Sequence, residues 1–186
     1  MSSTLVVKFG GHAMTDDSGL FATAIRDARA SGLRVIVVHG GGPQINAEIS
    51  SRGITPRFIG GFRYTDQATL AAVEEVLIRQ VGPMIAQALS SHSVPAIAIS
   101  GRTVLCAKKL THLGDGTLVD LGFVGEVVSI DLSPVDAALA NSQVPVISPV
   151  ASDIETNGAL NINADLAAAA IAGALDAVAL IVMTDV

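Results

Sequence analysis

Short runs of apolar, often β-branched residues alternate along this chain with longer amphipathic stretches, and this alternation constrains the fold most. A strand made almost entirely of apolar residues must be buried on both faces, which is typical of parallel sheets covered by helices. Parallel neighbours also need long crossover connections, and the amphipathic stretches can supply them. The pattern therefore predicts an α/β fold with a mostly parallel sheet that is covered on both faces.

The individual elements follow from hydrophobic periodicity and from helix stop signals. The predicted strands are residues 4–9, 33–39, 95–100, 144–148 and 177–183. The predicted helices are residues 19–31, 43–53, 66–92, about 133–141 and 163–175. We expect the third helix to bend near Gly82-Pro83, because proline lacks the N–H that an α-helix needs.

Residues 104–130 have a different character, with shorter runs and a glycine-rich turn. They predict a β-meander inserted into the α/β chain, with strands at 104–109, 117–121 and 123–130. A hairpin is predicted further on, within residues 153–160, because Asn157-Gly158 is a favoured turn pair between strands.

Composition excludes several classes of partner. The chain has 186 residues, half of them apolar, which suits one large domain with an aliphatic core. The net charge is −6 and no basic stretch is present, so we expect no nucleic-acid partner. The single cysteine, Cys106, suits the reducing cytoplasm. Residues 164–183 reach membrane-spanning length, but Asp165, Gly173 and Asp176 interrupt them, so we expect no membrane span and no signal peptide.

Two glycine turns follow the first two predicted strands, and the first strand carries a lysine. The segments are KFGGHAM, with Lys8, Gly10 and Gly11, and VHGGGPQIN, with Gly41 and Gly42 before a helix. Neither matches a P-loop or a dinucleotide fingerprint. Two such turns on neighbouring strands predict an anion site, because free N–H groups at a helix N-terminus attract phosphate or carboxylate. For one turn alone, tight-turn geometry explains the glycines as well.

Further polar residues precede two of the predicted helices. Arg63 comes just before the helix at 66–92 and could bind a carboxylate in bidentate fashion, or it could be a solvated loop arginine. Asn161, Asn163 and Asp165 stand at the start of the helix at 163–175. They could hold a substrate amide and carboxylate, or Asn163 and Asp165 could simply cap the helix.

Taken together, the segments VVKFGGHAM, VVHGGGPQIN, GGFRYTD, LVDLGFVGEV, LNINAD and LIVMTDV resemble the successive motifs of the amino-acid kinase family. Within that family the set most resembles the acetylglutamate kinases. The resemblance covers essentially all residues, 1–186, and implies a three-layer αβα sandwich. It implies transfer of the γ-phosphoryl group of ATP, bound with Mg²⁺, to the side-chain carboxylate of N-acetyl-L-glutamate. It implies no protein-held metal.

The resemblance also implies roles for particular residues. Lys8 and Asp165 would be catalytic, Lys8 neutralising the transferring phosphoryl group and Asp165 organising the lysine. The acid would be held by Gly41, Gly42, Arg63, Asn161 and Asn163. The phosphate and nucleotide would be bound by Lys8, Gly10, Gly11, Thr184 and Asp185, with Gly41 helping to cradle the phosphoryl group.

Family members have a second, nucleotide-binding half beyond the TDV segment, so we expect residues 1–186 to be the N-terminal, acid-binding lobe of a longer protein. We also expect a homodimer formed through the helix near residues 66–91. Two other functions stay open: a kinase for a related acid such as N-acetyl-aminoadipate, and a non-catalytic acid-binding or oligomerising module. A dehydrogenase domain is disfavoured by the missing glycine fingerprint.

Overall fold

The computed structural model describes residues 3–10 and 19–183. The strands are β1 (Thr4–Phe9), β2 (Arg34–His39), β3 (Phe58–Ile59), β4 (Phe62–Arg63), β5 (Ala96–Ile99), β6 (Leu105–Lys109), β7 (Gly125–Ile130), β8 (Val144–Ile147), β9 (Val150–Asp153), β10 (Ala159–Asn161) and β11 (Ala179–Met183). The α-helices are α1 (Leu20–Ala30), α2 (Gly42–Ser51), α3 (Gln67–Glu74), α4 (Gly82–Ser91), α5 (Ser133–Ala140) and α6 (Ala164–Ala174).

The central sheet has five strands in the order β11-β1-β2-β8-β5, and every neighbouring pair is parallel. The predicted α/β fold with a mostly parallel sheet is therefore confirmed. Side chains alternate between its two faces. Along β1, Leu5, Val7 and Phe9 pack into one core, while Val6 packs into the other, on the same side as Lys8.

Helices cover both faces of this sheet and make three layers. Helices α1 to α4 pack against one face, where residues such as Phe21, Ile49 and Leu77 join the core. Helices α5 and α6 cover the other face through residues such as Val135 and Ile171. The chain buries aliphatic side chains in two layers of core, as the three-layer αβα prediction requires.

A second, four-stranded sheet has the order β10-β9-β6-β7. Strands β6 and β7 are antiparallel, as predicted for the inserted β-meander, but residues 117–121 do not form its middle strand. They make only the isolated bridge between His112 and Leu118, because β9 takes the open edge of β6 instead. The predicted hairpin is confirmed: β9 and β10 are antiparallel, and Asn157 has the positive φ of 56° that suits its turn.

The long predicted helix is present, but its irregularity lies before Gly82-Pro83 rather than at that pair. Residues Glu75–Val81 are π-helical and join α3 to α4 without a break. The N–H of Gly82 bonds to the carbonyl of Leu77, five residues earlier, and regular α-helix resumes at Gly82. Such π-helical turns are rare and often lie at functional sites. No helix in residues 3–10 and 19–183 is long and apolar enough to span a bilayer.

Candidate functional site

A cavity of about 290 Å³ opens at the carboxyl edge of the central sheet, where β1 and β2 end. This is the edge at which open α/β sheets bind ligands. The cavity brings together most of the predicted site residues: Lys8, Gly10, Gly41, Gly42, Arg63, Asn161, Asn163 and Asp165. Gly11, Thr184 and Asp185 lie outside the described residues, so their roles stay predictions.

Lys8 and Asp165 form an ion pair on one wall of the cavity. The Lys8 Nζ lies 3.1 Å from Asp165 Oδ1. Lys8 is buried because its strand is central, and its place on the α6 face of β1 points the side chain at the first turn of α6. The Asp165 side chain is about half exposed, at 55%, so the pair is open to the cavity on the carboxylate side.

The two glycine turns touch each other at the base of the cavity. The Gly40 N–H donates to the carbonyl of Phe9 at 2.8 Å. A Cβ on Gly10 would lie 2.9 Å from Lys8 Nζ, and a Cβ on Gly40 would lie 3.5 Å from Gly10 Cα. The absence of a side chain at position 10 therefore gives the Lys8 ammonium group room to lie across the backbone. Tight-turn geometry alone would not explain this glycine.

The N-terminus of α2 faces the same cavity without a side-chain cap. Within the part of the chain that the structure describes, no hydrogen-bond partner is found for the N–H groups of Gly41 and Gly42. A helix N-terminus carries partial positive charge and unsatisfied donors. These donors are therefore available to an anion in the cavity.

Arg63 brings a cation to this wall that has no anionic partner among the described residues. Its guanidinium lies 4.8 Å from the centre of the Phe58 ring, across the β3–β4 hairpin, where Phe58 pairs with Arg63. Nη2 donates a long hydrogen bond of 3.4 Å to the Gly42 carbonyl, and Nη1 is buried without a hydrogen-bond partner in the part of the chain that the structure describes. Burial lowers the pKa of Arg63 from its usual value, but an arginine stays charged at neutral pH.

A chain of hydrogen bonds links Asn161 to the arginine. The buried Thr65 hydroxyl donates to the Arg63 carbonyl at 2.8 Å. Since that uses its only hydrogen, Thr65 Oγ1 must accept from Asn161 Nδ2, which lies 3.0 Å away. The amide of Asn161 is thereby oriented, and its Oδ1 is left to accept from a ligand.

Asn163 is the N-cap of α6. Its Oδ1 accepts hydrogen bonds from the N–H groups of Asp165 and Leu166, at 2.9 and 3.2 Å. This is the capping role that the sequence left open. Asn163 also lines the cavity, and its role in holding substrate stays a prediction.

His39, at the end of β2, lies behind the cavity rather than in its lining. The side chain is fully buried, and its Nδ1 lies 2.7 Å from the Gly40 carbonyl oxygen. Burial lowers its pKa to about 4, so the imidazole is neutral at neutral pH. No sequence motif assigns His39 an acid–base role, and a neutral ring away from the cavity agrees with that.

Among the described residues, the charged side chains that line the cavity are Lys8, Arg63 and Asp165, which leaves a net positive charge there in a chain of net charge −6. Together with the free N–H groups, this suits a small polyanion. Within residues 3–10 and 19–183 there is no group of three or more His, Cys, Asp or Glu side chains placed to hold a metal ion.

Comparisons with known proteins agree with this geometry. The model of the amino acid kinase family matches residues 3–186. The chain belongs to the amino acid kinase family. Acetylglutamate kinase of Frankia alni is 42% identical over 188 residues, an alignment that covers 99% of this chain and 54% of that protein. Acetylglutamate kinase of Geobacter metallireducens is 42% identical over 192 residues, covering 98% of this chain and 65% of that protein.

Among solved structures, the Streptococcus mutans protein smu.665 superposes with a TM-score of 0.89 at 31% identity, covering all of this chain and 74% of that one. The fold of the described residues is therefore closely similar to that of smu.665. It spans between about half and two thirds of the length of the two acetylglutamate kinases.

Sequence reasoning missed two residues of the site. Phe58 covers the Arg63 guanidinium, and Thr65 orients Asn161. The signal for the first was present in the pair Gly60-Gly61, which has positive φ at both residues and closes the β3–β4 hairpin. A two-residue glycine turn between short apolar runs predicts a hairpin, and hairpin register pairs Phe58 with Arg63. Thr65 had no local signal, because Asn161 is far away in sequence.

Proposed function

We propose that this chain provides the acid-binding and phosphoryl-transfer part of a kinase that phosphorylates the side-chain carboxylate of N-acetyl-L-glutamate. The observation that carries the proposal is the cavity itself. It combines the Lys8–Asp165 ion pair, the Arg63 guanidinium, whose Nη1 has no hydrogen-bond partner among the described residues, and the N–H groups of Gly41 and Gly42, which have none there either. The high identity to acetylglutamate kinases supports the choice of acid.

In the proposed reaction, an oxygen of the side-chain carboxylate attacks the γ-phosphorus of ATP. The bond from that phosphorus to the bridging oxygen breaks, ADP leaves, and the product is an acyl phosphate. The attacking carboxylate is already ionised, so no base is needed. Catalysis of such a transfer consists mostly of positioning and of charge stabilisation.

Lys8 is the group proposed to neutralise the transferring phosphoryl oxygens. The N–H groups of Gly10 and Gly41 are proposed to cradle them, because both residues line the cavity, and the family resemblance adds the N–H of Gly11. Asp165 accepts from Lys8 at 3.1 Å and so holds the ammonium in place. We assign no proton transfer to Asp165.

The acid is proposed to lie between the hairpin and the N-terminus of α2. The free Nη1 of Arg63 would bind one carboxylate, and the oriented Oδ1 of Asn161 would accept from the acetamido N–H. Gly41, Gly42 and Asn163 complete the proposed acid site. Arg63 and Asn161 are thereby proposed to recognise two groups of the acid other than the carboxylate that reacts.

ATP supplies the phosphoryl group, and Mg²⁺ bound to its phosphates neutralises part of their charge. The free N–H groups of the cavity fit the phosphate end of a nucleotide. Asp165, the one carboxylate among the described residues that lines the cavity, is occupied by Lys8, so we propose that the metal is held by the nucleotide's phosphates. We propose that Thr184 and Asp185 begin the nucleotide loop, and that the part of the relatives outside the matched segment holds the base.

We also infer a homodimer in the cytoplasm. Strand β5 is an edge of the central sheet, and α4 packs beside it. Ile97 on β5 and Met84 on α4 are exposed, at 40% and 47%. An exposed apolar edge is a ready interface. Sedimentation of the full-length gene product tests this, and a monomer at micromolar concentration would contradict it.

The deciding experiment is an assay of the full-length gene product with ATP and Mg²⁺, in which hydroxylamine traps any acyl phosphate. N-acetyl-L-glutamate is the test acid, and N-acetyl-aminoadipate, free glutamate and N-acetyl-aspartate are the controls. We expect hydroxamate formation with N-acetyl-L-glutamate at the highest kcat/KM. A pocket discriminates one methylene by about 1–3 kcal/mol, so N-acetyl-aminoadipate should react roughly 10- to 200-fold less well.

A preference for N-acetyl-aminoadipate would replace the proposed substrate and keep the chemistry. Absence of trapped product with every acid, combined with saturable heat on calorimetric titration with N-acetyl-L-glutamate, would indicate a non-catalytic acid-binding module. Absence of both would overturn the proposal.

A further inference from the structure

We propose that His39, a buried histidine outside the cavity, orients the Gly40–Gly41 peptide so that the Gly41 N–H points into the cavity. This makes His39 a positioning residue for phosphoryl transfer. The inference rests on the proposed function for its kinetic consequence, but its structural part can be tested without it.

The hydrogen bond at Nδ1 determines the tautomer of the His39 ring. Nδ1 lies 2.7 Å from the Gly40 carbonyl oxygen, and a carbonyl can only accept. Nδ1 must therefore carry the hydrogen. Because the ring is neutral at neutral pH, Nε2 is then a bare lone pair, and it is buried without a hydrogen-bond partner among the described residues.

A bare nitrogen buried in an apolar core costs free energy, so a histidine at this position needs a compensating role. Phenylalanine or leucine would fill the same volume without a lone pair to bury. The useful contact is the one at Nδ1, which fixes the direction of the Gly40 carbonyl.

The geometry of the Gly40–Gly41 peptide links the direction of the Gly40 carbonyl to that of the Gly41 N–H. In a planar trans peptide, the C=O of one residue and the N–H of the next point in opposite directions. Holding the Gly40 carbonyl against His39 therefore turns the Gly41 N–H away from the histidine. Gly40 and Gly41 both line the cavity while His39 does not, and no partner for the Gly41 N–H is found among the described residues.

The end of the π-helical turn packs closely against His39 and Gly41. A Cβ on Gly82, where the π-helical turn ends, would lie 3.2 Å from His39 Nε2. A Cβ on Gly41 would lie 2.5 Å from Leu77 Cδ2, inside the same π-helical segment. Gly82, directly after the π-helical segment, therefore lies against the imidazole, and Leu77, inside that segment, lies against the glycine that the imidazole orients. Neither glycine lies in the left-handed region of φ, so the lack of a side chain, rather than backbone freedom, is what makes this close approach possible.

The His39 imidazole is neutral at neutral pH and does not line the cavity. A general-base role would need a ring within hydrogen-bond reach of a reacting atom. His39 is fully buried behind the glycine turn, so it acts only through the peptide.

The structural part is tested by NMR on the wild-type full-length gene product without substrate. Long-range ¹H–¹⁵N correlation should show His39 as the Nδ1–H tautomer at pH 7, and the Gly41 amide should exchange rapidly with water, as expected of a donor that faces an open cavity. An Nε2–H tautomer, or a Gly41 amide that is strongly protected, would overturn the inference whatever the protein's activity.

The kinetic part uses the nearly isosteric pair His39→Asn and His39→Leu. Asparagine keeps an N–H near the position of Nδ1, while leucine does not, and both leave the same space where Nε2 was. Losing one well-placed backbone donor reduces kcat by about 10²–10³-fold. A misdirected donor should cost part of that, so we expect kcat of His39→Leu to fall by at least about 10-fold. His39→Asn should stay within about 3-fold of wild type, and the Kd for N-acetyl-L-glutamate should change little in either variant.

Equal kcat for the two folded variants would overturn the inference, because the proposed role depends on the N–H that asparagine keeps and leucine lacks. Should His39→Leu fail to fold, the comparison of His39→Asn with wild type and the two NMR observations still decide. Inactivity of the wild type toward every acid would count against the proposed function alone, and the NMR results would then stand by themselves.

Discussion

Each of the two walls of the cavity contains the N-terminus of a helix, but the polar groups are paired on one wall and unpaired on the other. On the α6 wall the polar groups are paired: Asn163 caps the helix, and Asp165 binds Lys8. On the α2 wall the helix has no cap, and Arg63 Nη1 has no partner among the described residues. Because natural proteins pair nearly all buried polar groups, the unpaired wall is the one that we propose to bind the acid. On the paired wall, the ion pair holds in place the two side chains that we propose to be catalytic.

The largest effect is expected on the paired wall, from Lys8→Ala. This substitution removes the one ammonium group among the described residues that lines the cavity. It should lower kcat of the full-length gene product by about 10²–10³-fold, the range found when a transition-state donor is lost. The affinity for N-acetyl-L-glutamate, measured by calorimetry, should change little, since the acid is proposed to bind at the other wall.

Lys108→Ala is a matched control for that substitution. Lys108 Nζ also lies 3.1 Å from a carboxylate, that of Glu126, but both side chains are about half exposed and lie outside the cavity. Its kcat should equal that of wild type. Unchanged turnover in Lys8→Ala would show that the paired wall is structural and would remove the main support for phosphoryl transfer.

The second effect is a loss of stability as pH falls, caused by His39, which lies behind the α2 wall. His39 has a pKa of about 4 in the folded protein and about 6.5 when unfolded. Between these values the unfolded chain binds the proton and the folded chain does not, so the free energy of unfolding should fall as pH falls from about 6.5 to 4. A tenfold difference in proton affinity between the folded and unfolded chains corresponds to about 1.4 kcal/mol, so the loss should approach roughly 3 kcal/mol.

Urea titrations between pH 7 and pH 4 measure this loss, with His39→Asn as the control that lacks the titrating group. The variant's curve should be flatter than that of wild type across the interval. Parallel curves would mean that the imidazole is as easily protonated in the folded protein as in the unfolded one. His39 would then not be shielded from water as the structure has it.

Sequence reasoning succeeded where the determinants were local. The apolar strands, the glycine turns after β1 and β2, and the lysine beside the first turn all depend on neighbours within a few residues. Strand alternation alone puts Lys8 on the face of Val6, toward α6. The family resemblance then brought Asp165 and Asn161 to the same place, and the cavity contains them.

It failed where the cause lies far along the chain. Residues 75–81, EVLIRQV, have an ordinary helical pattern, and their π-helical turn coincides with Leu77 packing on Gly41 and Gly82 lying near His39. Residues 117–121 have a strand-like pattern, but a strand needs a partner, and β9 occupies the place beside β6. Neither outcome is encoded in the local window, because tertiary packing decides both.

A third, smaller effect is expected from Arg63→Met on the unpaired wall. A hydrogen bond to a charged group contributes about 1.5–3 kcal/mol, so the Kd for N-acetyl-L-glutamate should rise by roughly 10- to 100-fold. Stability should stay the same or rise, since the substitution removes a partly buried cation that lacks an anionic partner among the described residues. Calorimetric titration and thermal unfolding measure the two quantities.

Arg102→Met is the control for the Arg63 experiment. Arg102 binds Glu74 at 3.2 Å and the Asn157 carbonyl at 2.9 Å, away from the cavity. Its loss should lower stability and leave the affinity for the acid unchanged. If Arg63→Met instead destabilised the protein and kept its affinity, the arginine would be a structural residue of the β3–β4 hairpin.

The smallest effects are expected from substitutions at the two helix N-termini, one in α6 and one in α2. Asn163→Ala removes the cap of α6 and should lower the free energy of unfolding by about 1 kcal/mol, or the melting temperature by roughly 2–4 °C. Gly42→Ala in the first turn of α2 should not destabilise, because a Cβ there meets no atom within 4 Å and alanine favours the helix. That same Cβ stands on the cavity wall, so Gly42→Ala should weaken binding of N-acetyl-L-glutamate. The opposite outcome, with stability lost at Gly42 and kept at Asn163, would mean that α2 depends on its uncapped turn for folding and that the free N–H groups are not kept for a ligand.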